Sequence, residues 1–380
     1  MIYLDNAATS LIKPKEVAEG IMNALNSLGN AGRGNSSTAM DAARTIYDCR
    51  EKLASLFNAE DVSRIVFTSN STEALNIGIQ CGLSSGDKVL TSVLEHNSII
   101  RPLHYMEEKG VNVTYVGADK LGNINYDELF SLVDKDTKMV ILTHASNLTG
   151  NLVDIANVGN IIKDINPNVL FLVDASQTAG VYEIDVQKCK IDILCFTGHK
   201  GLLGPQGTGG MYVRTGVKLR PFKLGGTGVE TYNPNMPEVY PTHLEAGTLN
   251  GHGIAGLLGA LNYLEKTGIE NIREKELEYM WQFYNGIKDT KNITIYGDFN
   301  VGERAPVVTF NIGNYDSAEV ADTLLNDYNI ICRAGGHCAP KMHESLGNKD
   351  QGAVRFSFSH NNTKEEIETA IKAVNELAKL

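Results

Sequence analysis

Lys200 stands at the end of an apolar, strand-like run, Ile191 to Thr197, with Gly198 and His199 directly before it and the glycine-rich stretch GLLGPQGTGG after it. A lysine at the lip of a buried strand can form an imine with an aldehyde cofactor, and neighbouring hydroxyl and imidazole groups can hold that cofactor's phosphate. Lysines beside glycines more often sit on solvated turns, so the reading depends on what else reaches the same place.

Asp174 is the second informative residue. It follows five apolar residues in VLFLVDASQTAG, and an ionised carboxylate there needs a partner. A protonated pyridine nitrogen is one such partner and would keep the ring electron-withdrawing. A helix cap or a metal-bound aspartate is the alternative, but no second acidic residue or histidine stands nearby at metal-ligand spacing. Gln177, three residues on, could reach a phenolic oxygen of the same ring. Thr197 and His199 are two apart, so in an extended chain both point the same way and can donate to one phosphate.

Further candidates follow other apolar runs. In SNSTEALN, Asn70 with Glu73 signals a helix start, and Ser71 and Thr72 fall in its first turn among unpaired N–H groups. That suits a phosphate or an ordinary helix cap. His96 can stack on an aromatic ring or be a loop histidine, and Asn147 can bond a ring hydroxyl or occupy a simple turn. Cys338 in RAGGHCAP lies outside any periodic run, after two glycines and before Pro340. An exposed, mobile loop is expected there, in which a thiol beside His337 can act as a thiolate or lie under the loop as a small hydrophobe. Cys332 ends a strand-like run and reads as core. Val354, Phe356 and Phe358 share one strand face, which leaves Arg355 on the other, free to clamp a carboxylate or to face solvent.

These residues need a scaffold, and the apolar pattern supplies one. Short runs at 64–68, 88–92, 111–117, 138–144, 169–175 and 191–197 are mostly separated by helical or loop segments. Near-continuous Val, Ile and Leu in such runs indicate a mainly parallel sheet covered on both faces, and ligands bind beyond the carboxyl ends of its strands. Helical patterns fill 15–57, broken at GNAGRGN, and recur from 252 to 288. The strand-like PVVTFNI, a helix at 316–328, the strands NIICR and AVRFSFS, and a closing helix from Thr363 then indicate a smaller α+β unit. Thr363 and Glu366 form a capping-box pattern.

Composition sets the outer limits. The chain has 380 residues, enough for about two domains. Its net charge of -11 argues against a nucleic-acid partner. MIYLDNAATS has no basic segment and carries Asp5 where a signal peptide would be apolar, and no run approaches the roughly 18 apolar residues of a membrane span. The six cysteines form no CxxC pair, which suggests free thiols in a reduced cytoplasmic protein without a structural metal.

The stretches YLDNAATS, SNSTEALN, EHNS, SNLTG, VDASQTAG, TGHKGLLGPQGTGG, LEAGTLN, RAGGHCAP and AVRFSFS occur in this order over nearly the whole chain. Together they resemble the class V aminotransferase family of pyridoxal-phosphate enzymes, in its cysteine desulfurase and selenocysteine lyase branch. The resemblance implies an α/β, fold-type-I transferase with a mainly parallel seven-stranded sheet. It implies an N-terminal segment, 1–14, joining the small domain, a large cofactor-binding domain, 15–268, and a smaller α+β domain, 269–380. It further implies a homodimer with a shared active site, L-cysteine or L-selenocysteine as substrate, and a sulfur-acceptor protein as a possible partner. Carried over, Lys200 is the Schiff-base lysine, Asp174 faces the pyridine nitrogen, Gln177 the ring oxygen, and His96 stacks on the ring. Ser71, Thr72, Thr197 and His199 hold the phosphate, Asn147 lies near ring and substrate, and Thr248 reaches the phosphate of the partner subunit. Cys338 takes the sulfur as a persulfide, Arg355 binds the substrate carboxylate, and Arg333 helps shape that site. The chain departs from the pattern in having Gly336 and one histidine, His337, where many desulfurases carry two histidines before the cysteine. It also has Thr197 where serine is common.

Overall fold

The computed structural model describes residues 1–29 and 37–379. Beyond Gly29, the expected break at GNAGRGN lies outside the described residues. The strands are β1 (Ile2–Tyr3), β2 (Ile65–Thr68), β3 (Lys88–Ser92), β4 (Asn112–Val116), β5 (Thr137–Thr143), β6 (Leu170–Asp174), β7 (Ile193–Thr197), β8 (Gly209–Val213), β9 (Ile293–Tyr296), β10 (Val307–Ile312), β11 (Ile330–Ile331), β12 (Arg333–Gly335) and β13 (Ala353–Ser357). Seven of them form one sheet in the order β2-β8-β7-β6-β5-β3-β4. The strands from β3 to β7 pair in parallel.

Successive residues of these strands enter two different cores, as the alternation of side chains requires. Phe171, Val173, Leu194 and Phe196 pack on one face, and Leu172, Ile193 and Cys195 on the other. Both faces are covered by helices, which is why the strands read as unbroken apolar runs.

All six apolar runs become strands. The seventh strand, β8, is GGMYV and has no such run to mark it. It pairs antiparallel with both β7 and β2, so the glycine-rich stretch after Lys200 is the turn of a hairpin. The glycines make this turn possible. A Cβ on Gly209 would lie 2.7 Å from the Cα of Asn70, the residue that caps the helix Ser71–Gly82. Bare backbone therefore brings the Lys200 hairpin against the start of that helix.

The smaller sheet, β12-β13-β10-β9, is antiparallel throughout. The helices Ile269–Ile287, Ser317–Tyr328 and Lys364–Leu377 cover it around Phe283, Phe310, Phe356 and Phe358. Its strand β9 was not marked by an apolar run. The last helix has the expected capping box, with Glu366 N donating to Thr363 Oγ1 and Thr363 N to Glu366 Oε2, each at 3.2 Å. The N-terminal segment touches both sheets and forms a separate two-stranded sheet of its own with β11. Its strand β1 pairs with β11 in parallel, Ser357 N donates to the Leu4 carbonyl at 2.8 Å, and Ser10 N donates to the His199 carbonyl at 3.1 Å.

Gly209→Ala is expected to cost about 1–3 kcal/mol, because backbone rather than a flexible side chain blocks the new methyl group. Gly336→Ala, where an added Cβ meets nothing within 4 Å, is expected to stay within about 0.5 kcal/mol of wild type. Urea midpoints of the two variants check this.

Candidate active site

Beyond the carboxyl ends of β2, β3, β5, β6 and β7 lies a cavity of about 290 Å³. Ser71, Thr72, His96, Asn147, Asp174, Gln177, Thr197, His199, Lys200, Arg333 and Arg355 all line it. Of the residues picked out from sequence, Cys338 and Thr248 do not. Thr248 opens instead on a wider cleft of about 750 Å³, beside Arg50 and Glu245. The smaller cavity collects the chemistry.

Lys200 lies in the β7–β8 turn, and burial pushes its amine down to about 8. The Arg355 and Arg333 charges act in the same direction, and Asp174 and Asp5 oppose them. Asp174 is the last residue of β6 and is buried. Its Oδ1 accepts from Ser176 N at 2.9 Å and from the Ser176 hydroxyl. Glu95, wholly buried behind the site, accepts from Ser92 Oγ at 2.6 Å, and burial raises its carboxyl to about 8.

His96 caps the helix Asn97–Glu107, its Nδ1 accepting from Ser98 N at 3.1 Å. Burial lowers its imidazole to about 4. The ring is therefore neutral at physiological pH, with its proton on Nε2. Ser98 Oγ also lies 2.8 Å from Thr72 Oγ1, which ties this cap to the first turn of the helix Ser71–Gly82. Asn70 starts that helix by accepting from Glu73 N at 2.9 Å. The Thr197 hydroxyl is buried and has no hydrogen-bond partner among the described residues. His199 Nδ1 lies 3.1 Å from Thr9 Oγ1, and burial together with Lys200 and Lys13 lowers its imidazole to about 4. Gln177 donates to the Ala7 carbonyl at 3.2 Å.

The smaller sheet supplies the rest. Arg355 is only 1% exposed, which removes the solvated alternative. It donates to Asp5 Oδ1 at 3.0 Å and to the Asn147 carbonyl at 2.8 Å. Burial lowers its guanidinium to about 10, with Asp5 opposing. Asn147 donates in turn to the His337 carbonyl at 2.7 Å.

The cysteine turn departs from expectation in two ways. Cys338 is half-buried, not exposed. Its carbonyl accepts from Asn97 N at 2.7 Å, and its Sγ lies 3.9 Å from Arg333 Nη2. His337 is buried, with its Nε2 at 3.3 Å from the Arg333 carbonyl and its ring stacked on His343 at 5.9 Å. Burial holds its imidazole well below the usual range, so the neighbouring histidine offers the thiol no charge. Cys332 packs against the small core, as expected, and burial pushes its thiol up to about 12.

Sequence reasoning missed Asp5, Ser98 and Ser176. The two serines stand two residues after His96 and Asp174, a spacing at which side chains commonly bond local backbone groups. Asp5 is 350 residues from Arg355, and no local pattern links them.

A parallel sheet that gathers a depressed lysine, an aspartate, a neutral histidine and a helix N-terminus at its strand ends defines an α/β enzyme with a lysine-centred site. The family model for aminotransferase class-V matches residues 2–369, and the chain belongs to that family. A probable cysteine desulfurase of Methanothermobacter thermautotrophicus is 36% identical, with 99% of this chain and 94% of that protein covered. One from Pyrococcus abyssi is 34% identical, with 100% and 94% covered. The apo structure of a cysteine desulfurase from Thermococcus onnurineus NA1 superposes with a TM-score of 0.91 at 31% identity, covering 100% of this chain and 94% of that one. No helix among the described residues is long and apolar enough to cross a membrane.

Asp5→Ala is expected to destabilise the protein by about 3 kcal/mol, because it strands a buried guanidinium. Asp5→Ala combined with Arg355→Met is expected to lose less than the sum of the single changes. Chemical denaturation of the four proteins closes the cycle.

Proposed function

We propose that this protein is a pyridoxal-phosphate-dependent cysteine desulfurase, working as a homodimer in the cytoplasm and passing sulfur to an acceptor protein. The observation that carries the reading is the meeting of Lys200 and Asp174 in one cavity with Cys338 at its edge. The relatives' names support the choice of substrate.

The residues fit pyridoxal phosphate. The unpartnered Thr197 hydroxyl, with Ser71, Thr72 and His199, would hold the phosphate beside a helix N-terminus. Thr248 would serve the partner subunit's cofactor. Asp174 would hold the proton on the ring nitrogen, Gln177 would bond the ring oxygen, and His96 would cover the ring face. Once bound, the cofactor supplies a ring that accepts the negative charge developing at the substrate α-carbon.

The chain's own residues do the remaining work. Arg355, with Asn147, binds the α-carboxylate of L-cysteine through a paired, directional contact. The Lys200 amine, depressed to about 8, takes the α-proton and returns a proton later, because its two charge states lie close in free energy near neutral pH. The Cys338 sulfur attacks the substrate sulfur. The carbon–sulfur bond of cysteine breaks, a sulfur–sulfur bond forms at Cys338 and a carbon–hydrogen bond forms on the product. L-cysteine and the Cys338 thiol become L-alanine and a Cys338 persulfide. Two electrons pass from sulfur to carbon, and no outside oxidant is needed.

Two experiments test this. Cys338→Ala is expected to keep the cofactor's visible absorbance while alanine formation from L-cysteine drops to background, and undiminished turnover refutes the role of the thiol. L-selenocysteine assayed in parallel reports the preferred chalcogen. Separately, borohydride is expected to trap pyridoxal phosphate on Lys200 and not in Lys200→Ala. The reactive amine is the uncharged one, and the folded protein lowers its pKa. Cofactor uptake by apoprotein should therefore rise with pH up to about 8 and level above it. A rate that climbs toward an ordinary lysine's range, about 10.4, would contradict the depressed amine.

A further inference from the structure

The two arginines of the small sheet differ in their partners. Arg333 on β12 and Arg355 on β13 are directly paired in register, an arrangement that like charges disfavour unless anions intervene. Asp5 neutralises Arg355. Arg333 has no carboxylate partner among the described residues, and its side-chain contact is with Cys338 Sγ at 3.9 Å.

We propose that Arg333 is the counter-cation of the Cys338 sulfur, holding it as a thiolate before sulfur transfer and as a persulfide anion after it. The inference rests on Cys338 being the sulfur-accepting residue.

The surroundings leave this task to Arg333. Among the charged or titratable groups gathered near the turn, Arg355 is paired with Asp5. His337 and His96 are held neutral, and His343 is lowered as well. Lys341 lies over the Tyr115 ring at 4.0 Å, and Lys200 stands by Asp174, whose charge favours its protonated form. The geometry is also fixed. His337 and Cys338 both have left-handed backbone, with φ of 51° and 55°, and their carbonyls are gripped by Asn147 and Asn97. The backbone that carries the sulfur is thereby held beside β12, with Sγ 3.9 Å from Arg333 Nη2. Thiol and guanidinium are both half-buried, so solvent screens their attraction less than it would on an open surface. The absence of a second histidine before the cysteine then has a physical counterpart: Gly336 is exposed and open, and the cation comes from the strand instead. Arg355 serves the substrate carboxylate, and Arg333 serves the sulfur.

The test reads the thiol itself. In purified holoprotein without substrate, iodoacetamide labelling of Cys338 is followed by mass spectrometry at several pH values. At about pH 7, Arg333→Met is expected to label about tenfold more slowly than wild type, with the two rates converging at high pH, where any thiol is ionised. Arg333→Lys, which keeps the charge, should recover most of the loss. Arg333→Gln is the second neutral variant if Arg333→Met does not fold. Equal labelling in wild type and a folded neutral variant overturns the proposal. An unchanged labelling rate with a raised KM for L-cysteine would assign Arg333 to the substrate carboxylate instead. Full turnover by Cys338→Ala would sink the desulfurase reading on which the inference rests, whatever the labelling shows.

Discussion

A guanidinium with almost no exposure needs an anion, and Arg355 finds one in Asp5. Removing one member of such a pair leaves a bare charge in a poor solvent, a cost several times that of an ordinary surface contact. The pair therefore fixes more than itself. Arg355 reaches the Asn147 carbonyl, Asn147 reaches the carbonyl of His337, and Asn97 reaches that of Cys338. One buried charge thus joins the N-terminal segment, the parallel sheet and the cysteine turn.

The site is divided between two sheets with different physical characters. The parallel sheet ends in hydroxyls, a carboxylate, a helix N-terminus and an amine, groups suited to a ring and a phosphate. The antiparallel sheet brings two arginines and a thiol, groups suited to a carboxylate and to sulfur. Lys200 lies between these sets, and its amine is depressed mainly because it is removed from water and faces two cations.

Much of the first half was legible in the sequence. Asp174 and Thr197 each end an apolar run, and a strand buried on both faces announces its end when the first polar residue appears. The helix at Asn70 was readable from its cap. Strand β8 was not, because glycines chosen for close approach carry no hydrophobic signal. The second half was harder to read. Arg355 was placed on the correct strand face, but its burial depends on Asp5 at the other end of the chain. His337 stands beside the cysteine in sequence, but adjacency says nothing about which way a ring turns in a left-handed backbone, and here the ring is buried against His343. Membership of the aminotransferase class-V family leaves these orientations to the local geometry.

The distance along the chain between Asp5 and Arg355, 350 residues, also orders events in time. The Lys200 hairpin closes a short loop, whereas the Asp5–Arg355 contact must close one of 350 residues, and loop-closure entropy is paid before such a contact rewards it. During synthesis Asp5 is made 350 residues before Arg355 and cannot pair with it until β13 has been made. The lysine end of the site can therefore be shaped early, while the arginine and sulfur end is sealed only once β13 is in place. A partly made chain exposes an amine without the machinery to turn it over.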